Sequence, residues 1–305
     1  MPQALLAIVG PTASGKSEVA VEVAARLDAE VVSVDSMTVY RGMDVGTAKP
    51  SPADRLRVRH HLFDVARPHE EFSVARYQEL ARAAIEDITA RGRRVLLVGG
   101  TGLYFRAVVD DLEFPGTDHL VRRELEGEME RLGAAVMYGR LEAADPTTAA
   151  KIEPGNVRRT VRALEVAAVT GRPFSAFAER WTTYPAEPVR AAGIRVDPAA
   201  LRARIDERVR SQLQGGLLQE ARALLAGRGL SPTARQAIGY AEAIDRLSGR
   251  VTLAEAETRI VKRTRNLARR QMAWFRTDPR IRWFDADDRG AASVIDEVTE
   301  YLSDG

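Results

Sequence analysis

Residues 10–17 have the types and spacing that most directly predict chemistry. In order they are Gly10, Pro11, Thr12, Ala13, Ser14, Gly15, Lys16 and Ser17. Two glycines separated by four residues, then Lys and a hydroxyl residue, form a loop whose backbone N–H groups can surround phosphate oxygens. An apolar run at residues 4–9 predicts a buried strand before the loop, and residues 18–27 predict a helix after it. We therefore predict a di- or triphosphate site, with Lys16 on the terminal phosphate oxygens and Ser17 Oγ as a Mg²⁺ ligand.

An acidic residue follows the second predicted strand, at residues 30–34. Ligands of open α/β sheets bind at the carboxyl ends of the strands, where Asp35 would lie. Its carboxylate could bind a metal, act as a general base, or cap the N-terminus of a following helix. The residues alone leave these three interpretations open.

Glycines and a threonine follow residues 94–98, the clearest buried strand of the chain. Enzymes that hydrolyse nucleoside triphosphates usually carry an acidic residue at the end of such a strand, and here Gly99 and Gly100 stand instead. Glycines would let a ligand approach the backbone, and Thr101 would offer it a hydroxyl. The alternative is a tight turn without a ligand. The sequence argues against routine ATP hydrolysis.

Composition sets broader limits. The chain has 305 residues, of which 45% are hydrophobic and 29% charged, as in an ordinary globular protein with one large or two moderate domains. The absence of cysteine excludes disulfides and thiolate metal sites. The N-terminus leads directly into the first predicted strand, and no apolar run approaches membrane-spanning length. We expect a cytoplasmic protein without a membrane partner.

The predicted fold is an α/β fold with a P-loop NTPase-like parallel sheet flanked by helices. Strand patterns stop after residue 115 and return at residues 194–196, which predicts an inserted helical subdomain at residues 116–192. Residues 1–115 and 193–305 would form the catalytic core, with a helical C-terminal part. Residues 63–65 are a short strand candidate.

Two helical segments carry clustered positive charge. Of the 45 basic residues only four are lysine, so clustering is better evidence for an anionic partner than the net charge of +2. Arg158, Arg159 and Arg162 share one side of a predicted helix, which is either a phosphate-binding face or a solvated one. The last long helix has a basic stripe suited to a nucleic-acid backbone and an apolar stripe that predicts burial. The basic stripe comprises Arg259, Lys262, Arg269 and Arg276, and the apolar stripe Ile260, Leu267 and Trp274.

Several segments together resemble one family, the tRNA dimethylallyltransferases. The resemblance rests on residues 10–17, 33–36, 40–50, 98–104, 162–166, 236–240 and 269–276, which occur in the order typical of the family and extend to about Phe284. Ser17 is Thr in many relatives, a change that retains the hydroxyl. His61 stands where arginine is frequent in the family.

The resemblance implies transfer of a dimethylallyl group from its diphosphate to N6 of the adenine that follows the anticodon of a tRNA. The phosphate loop, Lys16 and Mg²⁺ would hold the diphosphate, Asp35 would accept the proton, and Thr101 would align the reactants. The adenine would leave its stack to reach the site. The protein would act as a monomer on the anticodon stem-loop. The residues implied in tRNA binding are Asp35, Ser36, Met37, Thr38, Thr101, Arg122, Arg158, Arg159, Thr160, Val161, Arg162, Arg269 and Arg270.

Three other functions remain possible on the sequence. A small-molecule or nucleotide kinase would share the loop and an early aspartate, with ATP as the donor. A prenyltransferase acting on free adenine nucleotides would share the chemistry but would need no long basic helix, so the C-terminal helices argue against it. A P-loop module that binds its ligand without turnover is the third.

Overall fold

A six-stranded parallel sheet forms the centre of the protein. A computed structural model describes residues 4–178, 181, 183–185, 189–287 and 290–304. The strands are β1 (Leu5–Val9), β2 (Ala29–Val34), β3 (His60–His61), β4 (Arg94–Gly99), β5 (Val189–Val196) and β6 (Ile281–Ala286). They lie in the order β3-β2-β4-β1-β5-β6, and all neighbouring pairs are parallel. The carboxyl ends of β2, β4 and β1 are therefore adjacent at one edge of the sheet.

Helices connect these strands and continue beyond them. They are α1 (Lys16–Leu27), α2 (Pro52–Arg57), α3 (Val74–Ala90), α4 (Gly102–Val109), α5 (His119–Leu132), α6 (Ala134–Ala144), α7 (Pro146–Ala149), α8 (Val157–Thr170), α9 (Phe174–Ala178), α10 (Pro198–Gln214), α11 (Leu217–Ala226), α12 (Pro232–Arg235), α13 (Tyr240–Leu247), α14 (Leu253–Phe275) and α15 (Ile295–Ser303). A 3₁₀ helix at Ala291–Val294 precedes α15. None of the described helices combines the length and apolar character needed to cross a bilayer.

Apolar side chains cover both faces of the sheet. Residues 6–9 of β1 are fully buried, as expected for a central strand of a parallel sheet between two helical layers. Leu6 and Ile8 pack on the layer that contains α1 and α15. Ala7 and Val9 pack on the opposite layer, with aromatic residues of α3, α4 and α14. The strand that leads into the phosphate loop is therefore held in place by packing on both faces of the sheet.

The chain forms two compact units. The first comprises Met1–Asp110 and Ala186–Gly305, and the second comprises Asp111–Pro185. The second unit is helical, and α5, α6 and α8 pack around Met129, Met137 and Val161. The boundaries predicted at residues 116 and 192 differ from these, because β5 already begins at Val189 and residues 189–192 belong to the sheet.

Two strands differ from the sequence interpretation. β3 lies at residues 60–61 and not at 63–65, and the next residue, Ala66, makes an isolated bridge to Tyr40. β6 lies in the C-terminal part that was predicted to be helical. It pairs with β5 along its full length, and its exposed positions carry charged residues that hide the strand pattern.

Candidate active site

The phosphate loop leads from β1 into α1, as its sequence predicts. Gly15 adopts φ = 85°, a left-handed conformation that suits glycine, and α1 begins at Lys16. The backbone N–H of Thr12 donates a hydrogen bond of 2.8 Å to Gln271 Oε1, which fixes the loop to α14. Ser14 Oγ is buried without a hydrogen-bond partner among the described residues. The helix N-terminus and the loop form a preorganised anion site.

Lys16 is partly buried after this loop, and its Nζ donates to Pro11 O at 3.2 Å. Burial and, to a lesser extent, the nearby Arg208 guanidinium lower the pKa of Lys16, the Asp35 carboxylate partly opposes both effects, and the resulting pKa is about 8. Two cations in one poorly solvated place repel each other unless an anion lies between them. The electrostatics therefore favour binding of a phosphate group beside Lys16.

Arg208 on α10 belongs to the same site, although sequence reasoning did not select it. Burial lowers the pKa of Arg208 below its usual range, and the Asp35 carboxylate opposes that shift. With 41 arginines in the chain, none stands out by type. Its position could have indicated it, because Arg208 lies between Ile205 and Val209 on the buried face of α10.

Backbone contacts bring Asp35 and Thr101 together at the ends of β2 and β4. The Thr101 N–H donates to Val34 O at 3.1 Å, and the Ser36 N–H donates to Thr101 Oγ1 at 3.2 Å. The strands can converge because Gly99 has no side chain: a Cβ built there would lie 2.1 Å from Val34 O. Asp35 is therefore held between two contacts to the neighbouring strand end.

The Asp35 carboxylate caps a turn and not a helix. Its Oδ1 accepts from the Met37 N–H at 2.8 Å and from the Thr38 N–H at 3.4 Å. Residues 36–39 form bends and turns, so the helix N-cap interpretation is wrong. Among the described residues no hydrogen bond reaches Oδ2, which leaves one oxygen to accept a proton from a ligand. Thr38 is buried, and its hydroxyl lies 3.0 Å from Ser33 Oγ.

Three arginines of α14 are neutralised within their own unit, and Arg259 is the member of the predicted basic stripe among them. Arg259, Arg263 and Arg265 pair with Asp245, Glu242 and Asp206, respectively. Towards the C-terminal end of the helix, Arg269 and Arg270 are exposed.

Trp274, at the C-terminal end of α14, was predicted to be buried and is 43% exposed. The buried positions of α14 are instead Ala256, Ile260, Thr264, Ala268, Gln271 and Phe275. These follow a helical repeat closer to 3.6 residues, whereas a seven-residue pattern drifts by about 20° per heptad. Leu267 is only partly buried.

In the second unit, two predicted tRNA contacts are engaged in an internal network. Glu165 is fully buried and accepts hydrogen bonds from Arg122, at 2.7 Å, and from Arg162, at 2.9 Å. Burial would raise the pKa of Glu165, but these hydrogen bonds outweigh burial and hold the pKa below its usual range. Thr160 and Val161 are also buried.

Arg158 and Arg159, by contrast, are exposed on α8. Of the three arginines on the predicted basic face, two are therefore exposed, and the third, Arg162, is bound to a buried carboxylate.

The other predicted site residues lie in the turns that follow β1 and β2. Ser17 is exposed in the first turn of α1, and Ser36 and Met37 are half-buried in the turn after Asp35. Among the described residues, no group of three or more His, Asp or Glu side chains could hold a metal ion by itself.

Comparison with known proteins gives a consistent result. A family model described as IPP transferase matches residues 38–278. A tRNA dimethylallyltransferase of Kineococcus radiotolerans is 51% identical over 292 residues, covering 93% of this chain and 91% of its own. A relative of the same name from Salinispora arenicola is 49% identical, covering 94% of this chain and 83% of its own.

Solved structures are similar as well. The full-length tRNA isopentenylpyrophosphate transferase of Bacillus halodurans has a TM-score of 0.72 and 40% identity, covering 99% of this chain and 96% of its own. A eukaryotic dimethylallyltransferase acting on tRNA has a TM-score of 0.78 and 28% identity, covering 95% of this chain and 77% of its own. With this fold and sequence similarity over most of its length, the chain belongs to the tRNA dimethylallyltransferase family.

Proposed function

We propose that this protein transfers the dimethylallyl group of dimethylallyl diphosphate to N6 of the adenine that follows the anticodon of a tRNA. The bond between the allylic carbon and the diphosphate oxygen breaks, and a bond from that carbon to N6 forms. The displaced proton leaves N6, and diphosphate is released. The observation that carries the proposal is that the phosphate loop, Asp35 and Thr101 follow the adjacent strands β1, β2 and β4.

The leaving group would be stabilised by the cationic end of this site. The loop N–H groups and the N-terminus of α1 would bind the diphosphate oxygens, with Lys16 and Arg208 compensating the charge that develops as the C–O bond breaks. Both cations are already partly buried near Asp35, so little reorganisation is needed when the diphosphate binds. An acidic residue that activates water is not required, because the acceptor is an amine.

Mg²⁺ would bind through the phosphates and the protein together. Mg²⁺ commonly uses one or two protein oxygens and completes its shell with substrate phosphates and water, so the exposed Ser17 hydroxyl in the first turn of α1 suits it. When bound, Mg²⁺ supplies charge neutralisation to the leaving diphosphate.

The acceptor amine would be activated by Asp35. The adenine amino group is a weak nucleophile because its lone pair is delocalised into the ring, and removing its proton during bond formation favours attack. The two backbone N–H groups on Oδ1 fix the carboxylate, and Oδ2 would take the proton. Thr101, tied to the Ser36 N–H, would hold the reactants in line.

The tRNA would be bound as an anticodon stem-loop with the target adenine flipped out of its stack. The exposed arginines of α8 and α14 support phosphate contacts from each unit. We further propose that the protein acts in the cytoplasm as a monomer, with dimethylallyl diphosphate as its donor.

Incubation with dimethylallyl diphosphate and unmodified tRNA, followed by nucleoside mass spectrometry, tests the reaction directly. We expect N6-dimethylallyladenosine from tRNA and none from free AMP. Product from AMP would indicate a prenyltransferase of free nucleotides. Transfer of labelled γ-phosphate from ATP, with no prenylated product, would indicate a kinase and refute the proposal.

Asp35→Asn tests the proton acceptor. We expect the transfer rate to fall by about 10²–10⁴-fold, because the amide cannot take the proton. The control is Glu86→Gln, which neutralises an exposed carboxylate on α3 and should leave the rate unchanged. A rate for Asp35→Asn within a few-fold of the wild type would exclude Asp35 as the base.

A further inference from the structure

Trp274 is an exposed aromatic side chain in a rigid position. It lies in the last turn of α14 with 43% of its surface accessible, and the next residue, Phe275, is fully buried. The Phe275 ring makes an edge contact with Phe105 of α4, with the ring centroids 6.1 Å apart. The end of α14 is therefore fixed to the core, and the indole extends from a fixed backbone.

The indole packs on the residue that follows Thr101. A Cβ built on Gly102 would lie 2.0 Å from Trp274 Cδ1 and 2.2 Å from Nε1, so only glycine permits this contact. Thr101 is the residue that contacts the turn of Asp35 through the Ser36 N–H. Trp274 is thus placed beside the strand end where the adenine is proposed to react.

Exposed arginines lie on either side of Trp274 along the chain. Arg270 lies one turn before Trp274 on the same side of α14, and Arg276 follows it. Both are exposed, and neither forms an ion pair among the described residues. Within the part of the chain that the structure describes, Arg269 donates only to the neutral Asn266 side chain. The N-terminal part of the helix differs, because its arginines are paired with acidic residues.

We propose that Trp274 is a stacking platform for the nucleobase next to the target adenine, with Arg270 and Arg276 contacting the adjoining phosphates. The inference rests on the proposed function and deepens it by assigning a binding site for a second base. An exposed indole presents a π-face that any base can stack on, and single-stranded nucleic acid is bound by such faces between cations.

The role of this platform is to hold the anticodon loop of the tRNA in its open conformation. A flipped adenine leaves its neighbour without a stacking partner, and an indole can replace that partner. The energy of stacking then offsets part of the cost of flipping. The platform is sequence-tolerant, so the affinity should depend on the presence of the base more than on its identity.

The test measures binding of an anticodon stem-loop RNA without turnover. Trp274→Ala should raise Kd for the RNA roughly 5- to 100-fold, as expected for loss of one stacked base. Trp274→Phe should retain most of the affinity because it keeps an aromatic face. Leu253→Ala is the matched control, since Leu253 is 46% exposed at the other end of the same helix, and it should leave Kd unchanged. The affinity for dimethylallyl diphosphate should be the same in all three variants.

An abasic RNA separates stacking from a structural effect. If the nucleotide flanking the adenine lacks its base, the wild-type protein and Trp274→Ala should bind it equally. RNA should also quench the tryptophan emission of the wild type, and Trp274→Phe should lose that quenching although Trp181 and Trp283 remain. Equal affinity of wild type and Trp274→Ala for intact RNA would refute the platform, and so would an undiminished difference with the abasic RNA. Failure of the proposed function itself is seen separately, as absence of prenyl transfer by the wild type.

Discussion

Replacing Arg162 with alanine should destabilise the protein and not simply remove a tRNA contact. The Arg162 guanidinium donates to Pro115 O at 2.7 Å, Gly116 O at 3.1 Å and Glu165 Oε2 at 2.9 Å. It thereby joins the start of the second unit to α8 and compensates a carboxylate that has no contact with solvent. The resemblance to the family implied a tRNA contact for this side chain, and the residues alone left a phosphate-binding and a solvated face open.

The expected cost follows from these contacts. A hydrogen bond to a charged group contributes about 1.5–3 kcal/mol, and Arg122 remains on Glu165 when Arg162 is removed. We therefore expect a loss of about 2–3 kcal/mol, which corresponds to a decrease in Tm of roughly 5 °C or more. Adding Glu165→Gln to Arg162→Ala should recover part of that loss, because the buried charge disappears.

Thermal unfolding and a tRNA-binding titration, measured side by side, test the assignment. Arg159→Ala is the matched control on the same helix, since Arg159 is exposed and its guanidinium has no partner among the described residues. Its Tm should be unchanged, while tRNA binding weakens and its salt dependence becomes shallower. If Arg162→Ala unfolded like the wild type and bound tRNA tenfold more weakly, the structural role would be refuted and the sequence interpretation restored.

Three other perturbations probe the first unit. Arg208→Ala should raise KM for dimethylallyl diphosphate at least tenfold and leave KM for tRNA unchanged, because a cation next to the diphosphate is lost. An unchanged KM for the donor in steady-state kinetics would show that Arg208 does not bind the diphosphate. Lys16 has a pKa of about 8 in the free protein and is therefore charged below that pH. Because the charged form binds the diphosphate, the affinity for the donor measured by calorimetry should fall about tenfold per pH unit above pH 8, until the higher pKa of the complex is reached. An affinity that stays constant from about pH 7 to 9.5 would contradict this. Arg280→Ala deprives both the buried Asp110 and the buried Asp278 of an ion-pair partner and should cost about 3 kcal/mol in urea unfolding. A loss below about 1 kcal/mol would show that neither carboxylate depends on Arg280, with Arg106 compensating Asp110.

Local patterns made the phosphate loop, Asp35 and Thr101 predictable. Each follows a run of buried apolar residues, and parallel strands place the residues after their carboxyl ends at one edge of the sheet. Arg208 could not be found in this way, because its contribution depends on the packing of α10 against a loop nearly 200 residues earlier in the chain. A contact between residues so far apart in the chain produces no recognisable pattern in the local sequence.

Charged helices were the hardest elements to interpret. Helical periodicity predicted that α14 carries arginines along one side, but only tertiary contacts decide which of them meet acidic partners. The same applies to Arg122, whose partner Glu165 is 43 residues away. The strand β6 was missed because Arg282 and Asp285, on its exposed positions, resemble the charge pattern of the neighbouring helices.

The contact between Gly99 and Val34 O also limits how this site could be redesigned. The separation of Asp35 from Thr101 is set by two backbones in contact, with no side chain at Gly99 that could be shortened. Engineering the protein to accept a bulkier prenyl donor therefore cannot gain room by trimming the strand ends. Such room has to come from the surrounding helices, and a library that varies residues of α4 and α10 is a better starting point than one that varies the strand termini.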